Sequence, residues 1–161
     1  MKIGASETKG LFANESILKD AVVALDGGVI ITSFDDIPKQ HKGYAVPIDK
    51  GMWLIPRDYE NKENLAYINH SCNPTLKRIG NNTFLAARNI EAGEELTIDY
   101  AIFYFDRENV KLECHCQSVN CRKTITGKDS LDPTLAKHLW PQLLPYMQKE
   151  LIKRNIILCN D

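Results

Sequence analysis

The sequence predicts a mainly β domain of short strands followed by a helical C-terminal arm. Two observations carry that reading. Through residue 100, short runs rich in β-branched residues alternate with glycine-containing turns. Beyond residue 130 the apolar residues recur near the helical period instead. A third feature, the crowding of Cys114, Cys116 and Cys121, marks a metal-binding segment between the two.

Taken in order, residues 21–25 and 28–32 read as strands around Asp26-Gly27-Gly28, a tight-turn string. Residues 44–48 and 52–55 flank Asp49-Lys50-Gly51, a second hairpin, and 83–87 and 95–98 flank Glu91-Ala92-Gly93, a third. The polar stretch 58–65 reads as a short helix or a loop. Asp132-Pro133 is a helix start, with Asp as N-cap and Pro at the first helical position. Leu135, Leu139, Leu143, Leu144, Met147, Leu151 and Ile152 follow at helical spacing, and Pro141 and Pro145 divide them into two short helices or one kinked helix. An arm packed on the β core is the expectation.

With 161 residues, 25% charged and 43% apolar, the chain fits one domain able to bury a core without disulfides. A net charge of −1 and a pI near 6.4 give no global attraction to nucleic acid or to anionic membranes. No apolar run approaches a membrane span, and the first twenty residues lack the apolar core of a signal peptide. Five cysteines, three of them clustered, point to an intracellular, reducing compartment and to metal rather than disulfides.

Structural zinc takes four ligands, so Cys114, Cys116 and Cys121 are one short. The remaining donors are Cys72, His115 and Cys159. His115 lies between two ligands and would have to bend back, and Cys159 falls in a tail expected to fray. Cys72 is the preferred fourth ligand, within Asn69-His70-Ser71-Cys72-Asn73-Pro74.

Those strings resemble a known family. Lys9-Gly10-Leu11-Phe12-Ala13, Asn69-His70-Ser71-Cys72, Gly93-Glu94-Glu95-Leu96-Thr97-Ile98-Asp99-Tyr100 and the cysteine cluster ending in Cys121-Arg122 stand in the order found in SET-domain protein-lysine methyltransferases with a post-SET zinc knuckle. The resemblance implies a β-clip fold of small curved sheets in which the Asn69 and Tyr100 segments form a pseudoknot. It divides the chain into a SET domain at 1–110, a post-SET knuckle at 111–128 and a helical extension at 129–161.

It also implies a chemistry: transfer of methyl groups from S-adenosylmethionine to a lysine side-chain amine of a histone tail or other basic protein. A lysine of ordinary pKa, about 10.4, is almost wholly protonated at neutral pH, so a narrow apolar channel must favour the neutral amine. By resemblance, Tyr100 is the catalytic tyrosine beside the reacting groups. Asn69 and the His70 backbone hold the cofactor, with Lys9 and Leu11 contributing backbone contacts. One zinc on Cys72, Cys114, Cys116 and Cys121 docks the knuckle over the channel, leaving Thr124 and Ile125 near its wall. Tyr44 and Tyr67 are candidate channel aromatics. Ile98 stands where relatives often carry Phe or Tyr, a position that influences how many methyl groups are added. Thr8 departs from the glycine common there.

Asp35, Asp36, Asp49, Asp58, Glu60 and Glu63 gather in the stretch the family uses to select substrate, interspersed with lysines. The absence of Gly-x-Gly-x-x-Gly argues against a Rossmann-type methyltransferase. Two rival readings remain: a SET fold that binds peptide without transfer, to which Thr8 and Ile98 point, and a zinc-stabilised interaction protein without cofactor.

Overall fold

The computed structural model describes residues 2–5, 9–58, 60 and 64–158. Thr8, Glu63 and Cys159, all weighed above, lie outside them. Among the described residues, twelve short strands precede residue 127: β1 (Lys2–Ala5), β2 (Lys9–Phe12), β3 (Val22–Leu25), β4 (Val29–Ile31), β5 (Val46–Asp49), β6 (Met52–Ile55), β7 (Asn69–His70), β8 (Leu76–Ile79), β9 (Thr83–Ala86), β10 (Glu95–Ile98), β11 (Lys111–Glu113) and β12 (Thr124–Thr126). They form four small sheets, ordered β1-β2-β10-β7, β3-β9-β8, β4-β6-β5 and β11-β12. Two α-helices, α1 (Pro133–Leu139) and α2 (Pro145–Lys153), follow them among the described residues.

One of the three expected hairpins forms. β5 and β6 pair through Asp49 and Met52, and Gly51 between them takes a left-handed φ of 71°. The other two turn strings hand the chain between sheets. β3 pairs with β9 and β4 with β6, so the strands beside Asp26-Gly27-Gly28 never meet. Gly28 is there for closeness: a Cβ on it would lie 2.2 Å from the Ile55 carbonyl oxygen. Likewise β9 ends in one sheet and β10 begins in another, although Glu94 N–H still closes a turn on the Glu91 carbonyl at 3.1 Å. The hairpin the residues did join is β8–β9, around Gly80 at φ 61°. Tyr44 was expected on a strand and instead ends a 3-10 helix, Lys39–Tyr44.

The main core draws on β2, β8, β9 and β10 (Leu11, Leu76, Phe84, Leu96, Ile98) and on the arm (Ala136, Leu139, Leu143, Leu144, Met147, Leu151). Asp132 caps α1 by accepting from Leu135 N–H at 2.8 Å. Pro141 sits in a 3-10 turn, Trp140–Gln142, and Pro145 opens α2, so the arm is two short helices. The helices are too short to persist alone, and their stability comes from this shared core.

Arg78 holds arm and sheets together without any carboxylate. Its side chain is fully buried and donates to the Gln142 carbonyl from Nε at 3.0 Å and from an Nη at 2.8 Å. Its guanidinium also reaches the Pro47 and Ile102 carbonyls at 3.3 Å and lies over the Phe103 ring. Burial pulls its pKa down to about 10, which leaves the cation intact at neutral pH. Carbonyl dipoles from three segments do the work of a counter-ion.

Because the arm shares the core, Met147→Ala should lower global stability by about 2–5 kcal/mol in urea melts, with one transition retained. An unchanged main transition would show that the arm folds independently.

Candidate functional site

The site begins where two strands separated in sequence run side by side. β7 lies parallel to β10, with Asn69 opposite Thr97 and His70 opposite Ile98, and Ser71 N–H extends the pairing to the Ile98 carbonyl at 3.1 Å. β10 continues straight into Asp99 and Tyr100. The parallel register therefore sets His70 beside Tyr100, thirty residues on, with Asn69 one residue back, opposite Thr97.

Each of these side chains is held. Asn69 donates from Nδ2 to Glu95 Oε1 at 2.7 Å and to the Lys9 carbonyl at 3.4 Å. The Tyr100 hydroxyl donates to the Ile68 carbonyl at 2.7 Å. Burial, with Tyr104 and Glu95 nearby, raises its pKa, so the phenol stays protonated at any physiological pH. The Tyr104 ring meets Tyr100 edge-on at 5.8 Å. His70 Nδ1 accepts from Tyr100 N–H at 3.0 Å, which places the ring proton on Nε2, 3.3 Å from Cys72 Sγ. Burial pulls His70 down to about 4 against the opposing pull of Asp99. The ring is neutral at pH 7, and its approach to Asp99 at 3.8 Å is no salt bridge.

Cys72, Cys114, Cys116 and Cys121 come together as expected, with all four sulfurs within 4.8 Å of one another. Cys72 to Cys114 is 3.8 Å and Cys114 to Cys121 is 3.6 Å. A tetrahedron with Zn–S near 2.3 Å has S···S edges of about 3.8 Å, which the Cys72–Cys114 and Cys114–Cys121 separations match, so the four thiols suit a zinc ion. Backbone N–H groups of Cys72 and Arg122 already point at Cys116 and Cys72 sulfurs, both at 3.4 Å. His115 is turned outward, its side chain 70% exposed, and takes no part.

The contact that locks the knuckle onto the site is one the sequence reading missed. Arg122 forms a fork on the buried Asp99 carboxylate, at 2.8 and 2.6 Å, and its Nε lies 3.1 Å from Asp129. Asp99 at the same time caps the turn carrying Tyr100 by accepting from Ala101 N–H at 2.9 Å. The signal was an Arg directly after the last cysteine and an Asp directly before the tyrosine. Only tertiary structure pairs them.

The other candidates divide. Tyr67 lies near Lys9, whose ammonium sits 5.9 Å from its ring centre. Leu11 and Ile98 are core residues, 0% and 1% exposed, on adjoining parts of the same sheet. Tyr44 lines a separate concavity with Val46, Leu54, Ile55 and Leu65. Ile125 is buried and Thr124 half-buried on β12. Among the acidic residues, Asp35 pairs with Lys42 at 3.4 Å on the surface.

The family model for the SET domain matches residues 8–101, more than half of the chain. The chain belongs to the SET domain family. This SET domain is 37% identical over 131 residues to histone-lysine N-methyltransferase set1 of Dictyostelium discoideum, covering 72% of this chain and 8% of that protein. It is 42% identical over 128 residues to histone-lysine N-methyltransferase 2D of Homo sapiens, covering 71% of this chain and 2% of that one. Among solved structures it matches KRYPTONITE in complex with mCHG DNA and SAH at a TM-score of 0.59 and 25% identity, over 75% of this chain and 27% of that chain. The chain thus spans a small part of these relatives' length. No helix among the described residues is long and apolar enough to cross a membrane.

Native mass spectrometry of the purified protein should show one bound zinc. Cys114→Ser should lose it together with amide-exchange protection across 111–126, and a metal-free protein with that protection intact would contradict the site. Arg122→Gln should cost about 3 kcal/mol, because it leaves the Asp99 charge buried without its partner. Adding Asp99→Asn should then cost less than the two single changes summed, as a urea double-mutant cycle would measure.

Proposed function

We propose that this SET domain transfers methyl groups from S-adenosylmethionine to lysine side chains of a basic protein such as a histone. The observation that carries the reading is the parallel β7–β10 pair, which holds His70 against Tyr100 with Asn69 next along the strand, while Asp99 and Arg122 tie the cysteine knuckle to the same turn. The relatives named as histone-lysine N-methyltransferases support it, as does the SAH in the KRYPTONITE complex.

The residues present fit that cofactor. Asn69 offers a carboxamide and Lys9 a carbonyl beside Gly10, where the backbone is bare of a Cβ. When bound, S-adenosylmethionine supplies an electrophilic methyl group on a positively charged sulfur. Asn69, the His70 backbone and Lys9 hold it, and Leu11 anchors the strand that carries Lys9.

Tyr100 keeps its hydroxyl protonated and fixed by Ile68, ready to orient the lysine amine by hydrogen bonding. In this reading Tyr67, beside Lys9, borders the channel and Ile98, buried on the strand that leads to Tyr100, backs it, and the exclusion of water favours the neutral amine. Tyr44, at its own concavity, is left outside that wall. The zinc-bearing knuckle, 111–128, closes the site through Arg122, with Thr124 and Ile125 toward the channel, and the described part of the arm, 129–158, braces it. Asp35, Asp36, Asp49, Asp58 and Glu60 provide an acidic surface for a basic substrate. A cysteine set suited to metal rather than to disulfides is consistent with a reducing compartment.

Labelled methyl from S-adenosylmethionine should appear on core histones or on proteins of a whole-cell extract. Tyr100→Phe should cut transfer by about 10²–10³-fold while costing only about 1 kcal/mol of stability for one lost hydrogen bond. Equal transfer by Tyr100→Phe would remove this tyrosine from the chemistry. Tight cofactor binding with no transfer to any protein would leave a peptide-binding module.

A further inference from the structure

We infer that the Arg107 guanidinium is an anion-recognition point for the protein substrate, taking a carboxylate or phosphate side chain that lies a few residues from the target lysine. The inference rests on the lysine-transfer reading above and deepens it, because it adds one positive contact to an otherwise acidic surface.

Arg107 stands apart from the other arginines that pack against the fold. Arg78 has carbonyl acceptors, and Arg88, Arg122 and Arg154 each have a carboxylate. The half-buried Arg107 guanidinium has no hydrogen-bond acceptor or carboxylate among the described residues. It lies instead over the Phe34 ring at 4.4 Å and near the Tyr104 ring at 5.9 Å. Aromatic contacts engage the faces of a guanidinium and leave its N–H edge open. Burial pulls its pKa down against the nearby phenols of Tyr104 and Tyr146, so the cation has lost water without gaining a counter-ion. Lys42 shows the contrast on the same ring. Its ammonium lies 4.9 Å from the Phe34 centre and is answered by Asp35 at 3.4 Å.

The place of Arg107 says what the missing acceptor belongs to. The Tyr104 ring that touches it also meets Tyr100 edge-on at 5.8 Å, so one ring separates Arg107 from Tyr100. An extended chain advances about 3.3 Å per residue, so a substrate lysine at Tyr100 brings side chains within about four residues of it into reach. The position is also set in advance. Arg107 N–H donates to the Tyr104 carbonyl at 3.2 Å, and Gly127 of the knuckle packs on the Arg107 backbone too closely for a Cβ. The Phe34 turn, the loop after Tyr100 and the knuckle therefore meet at this residue. A planar fork of N–H donors matches the paired oxygens of a carboxylate or a phosphate.

The test maps methylated lysines. A whole-cell extract, half of it treated with phosphatase, is incubated with labelled S-adenosylmethionine, and the modified sites are sequenced by mass spectrometry. Wild-type sites should carry Asp, Glu or a phosphorylated residue at one fixed offset from the lysine. An enrichment that phosphatase abolishes assigns the contact to phosphate, and one that survives assigns it to a carboxylate. On a peptide of the preferred sequence, neutralising that acid should raise the wild-type KM roughly tenfold with kcat nearly unchanged, the mark of lost ground-state binding. The same neutralisation should cost Arg107→Gln less than about twofold, because the coupling partner is gone. Arg107→Lys keeps the charge without the fork and should also lose most of the preference. Equal melting temperatures separate these losses from misfolding.

Full preference in Arg107→Gln, or wild-type sites with no acid at a fixed offset, overturns the role of Arg107 and leaves lysine transfer standing. A wild-type protein that labels no lysine overturns both.

Discussion

The Asp99 carboxylate is the constraint on which the site depends. It is a buried charge, and a buried charge must be matched by a counter-ion and by donors or it will not remain ionised. Arg122 supplies the counter-ion through both terminal nitrogens, and Ala101 supplies a backbone donor. Satisfying one residue therefore fixes two things at once: the turn that aims Tyr100, and the place where the cysteine knuckle lands. His70 extends the same logic. Its two ring nitrogens are spent on the Tyr100 amide and the Cys72 sulfur, so the Asn-His strand, the tyrosine turn and the metal ligands form one hydrogen-bonded unit.

A second buried cation, Arg78, does for the arm what Arg122 does for the knuckle, by different means. It meets carbonyl oxygens alone. The segments it joins (β5, β8, the turn after Tyr100 and the Gln142 turn) have no regular ladder between them. Loop 103–107 adds further ties: Phe105 packs on Tyr146, Asp106 pairs with Arg154, and Arg107 stacks on Phe34. Gly127 passes so close to Arg107 that a Cβ would lie 1.9 Å from its carbonyl oxygen. Small sheets with short edges are marginal individually. Here they are stabilised by side chains that bridge between sheets.

Local chemistry was legible in the sequence wherever a residue acts on its near neighbours. Asp132 caps its helix, Pro145 opens the next, Gly51 takes its left-handed turn, and the heavy apolar residues of the arm are core. Cys114, Cys116 and Cys121 were legible as a cluster from their spacing, and Cys72, preferred among three candidate donors, joins them. Reading failed where partners are distant. Asp26-Gly27-Gly28 has the composition of a hairpin turn, but its glycine answers to Ile55, which belongs to another strand. Glu91-Ala92-Gly93 does turn the chain, and nothing in those residues says which sheet receives it. Arg78 looks like a surface residue of a strand, because the carbonyls that satisfy it lie up to sixty-four residues away. The Arg122–Asp99 pair lay in plain view within two motifs, but sequence carries no record of which charge meets which. Ile98 and Leu11 show the reverse case: motif residues whose side chains serve mainly as core.

The cysteine cluster also has a consequence for the birth of the chain. Cys72 precedes Cys114 by 42 residues and Cys121 by more. On a ribosome adding about 5–20 residues per second, the first thiol emerges seconds before the other three. During that interval it is a lone cysteine in a half-made site, with no tetrahedron to enter. The arm that completes the hydrophobic core appears later still. Enclosure of the metal and closure of the core therefore wait on segments made after Cys72, and the nascent protein must pass through a stage in which one of the four cluster sulfurs is unguarded.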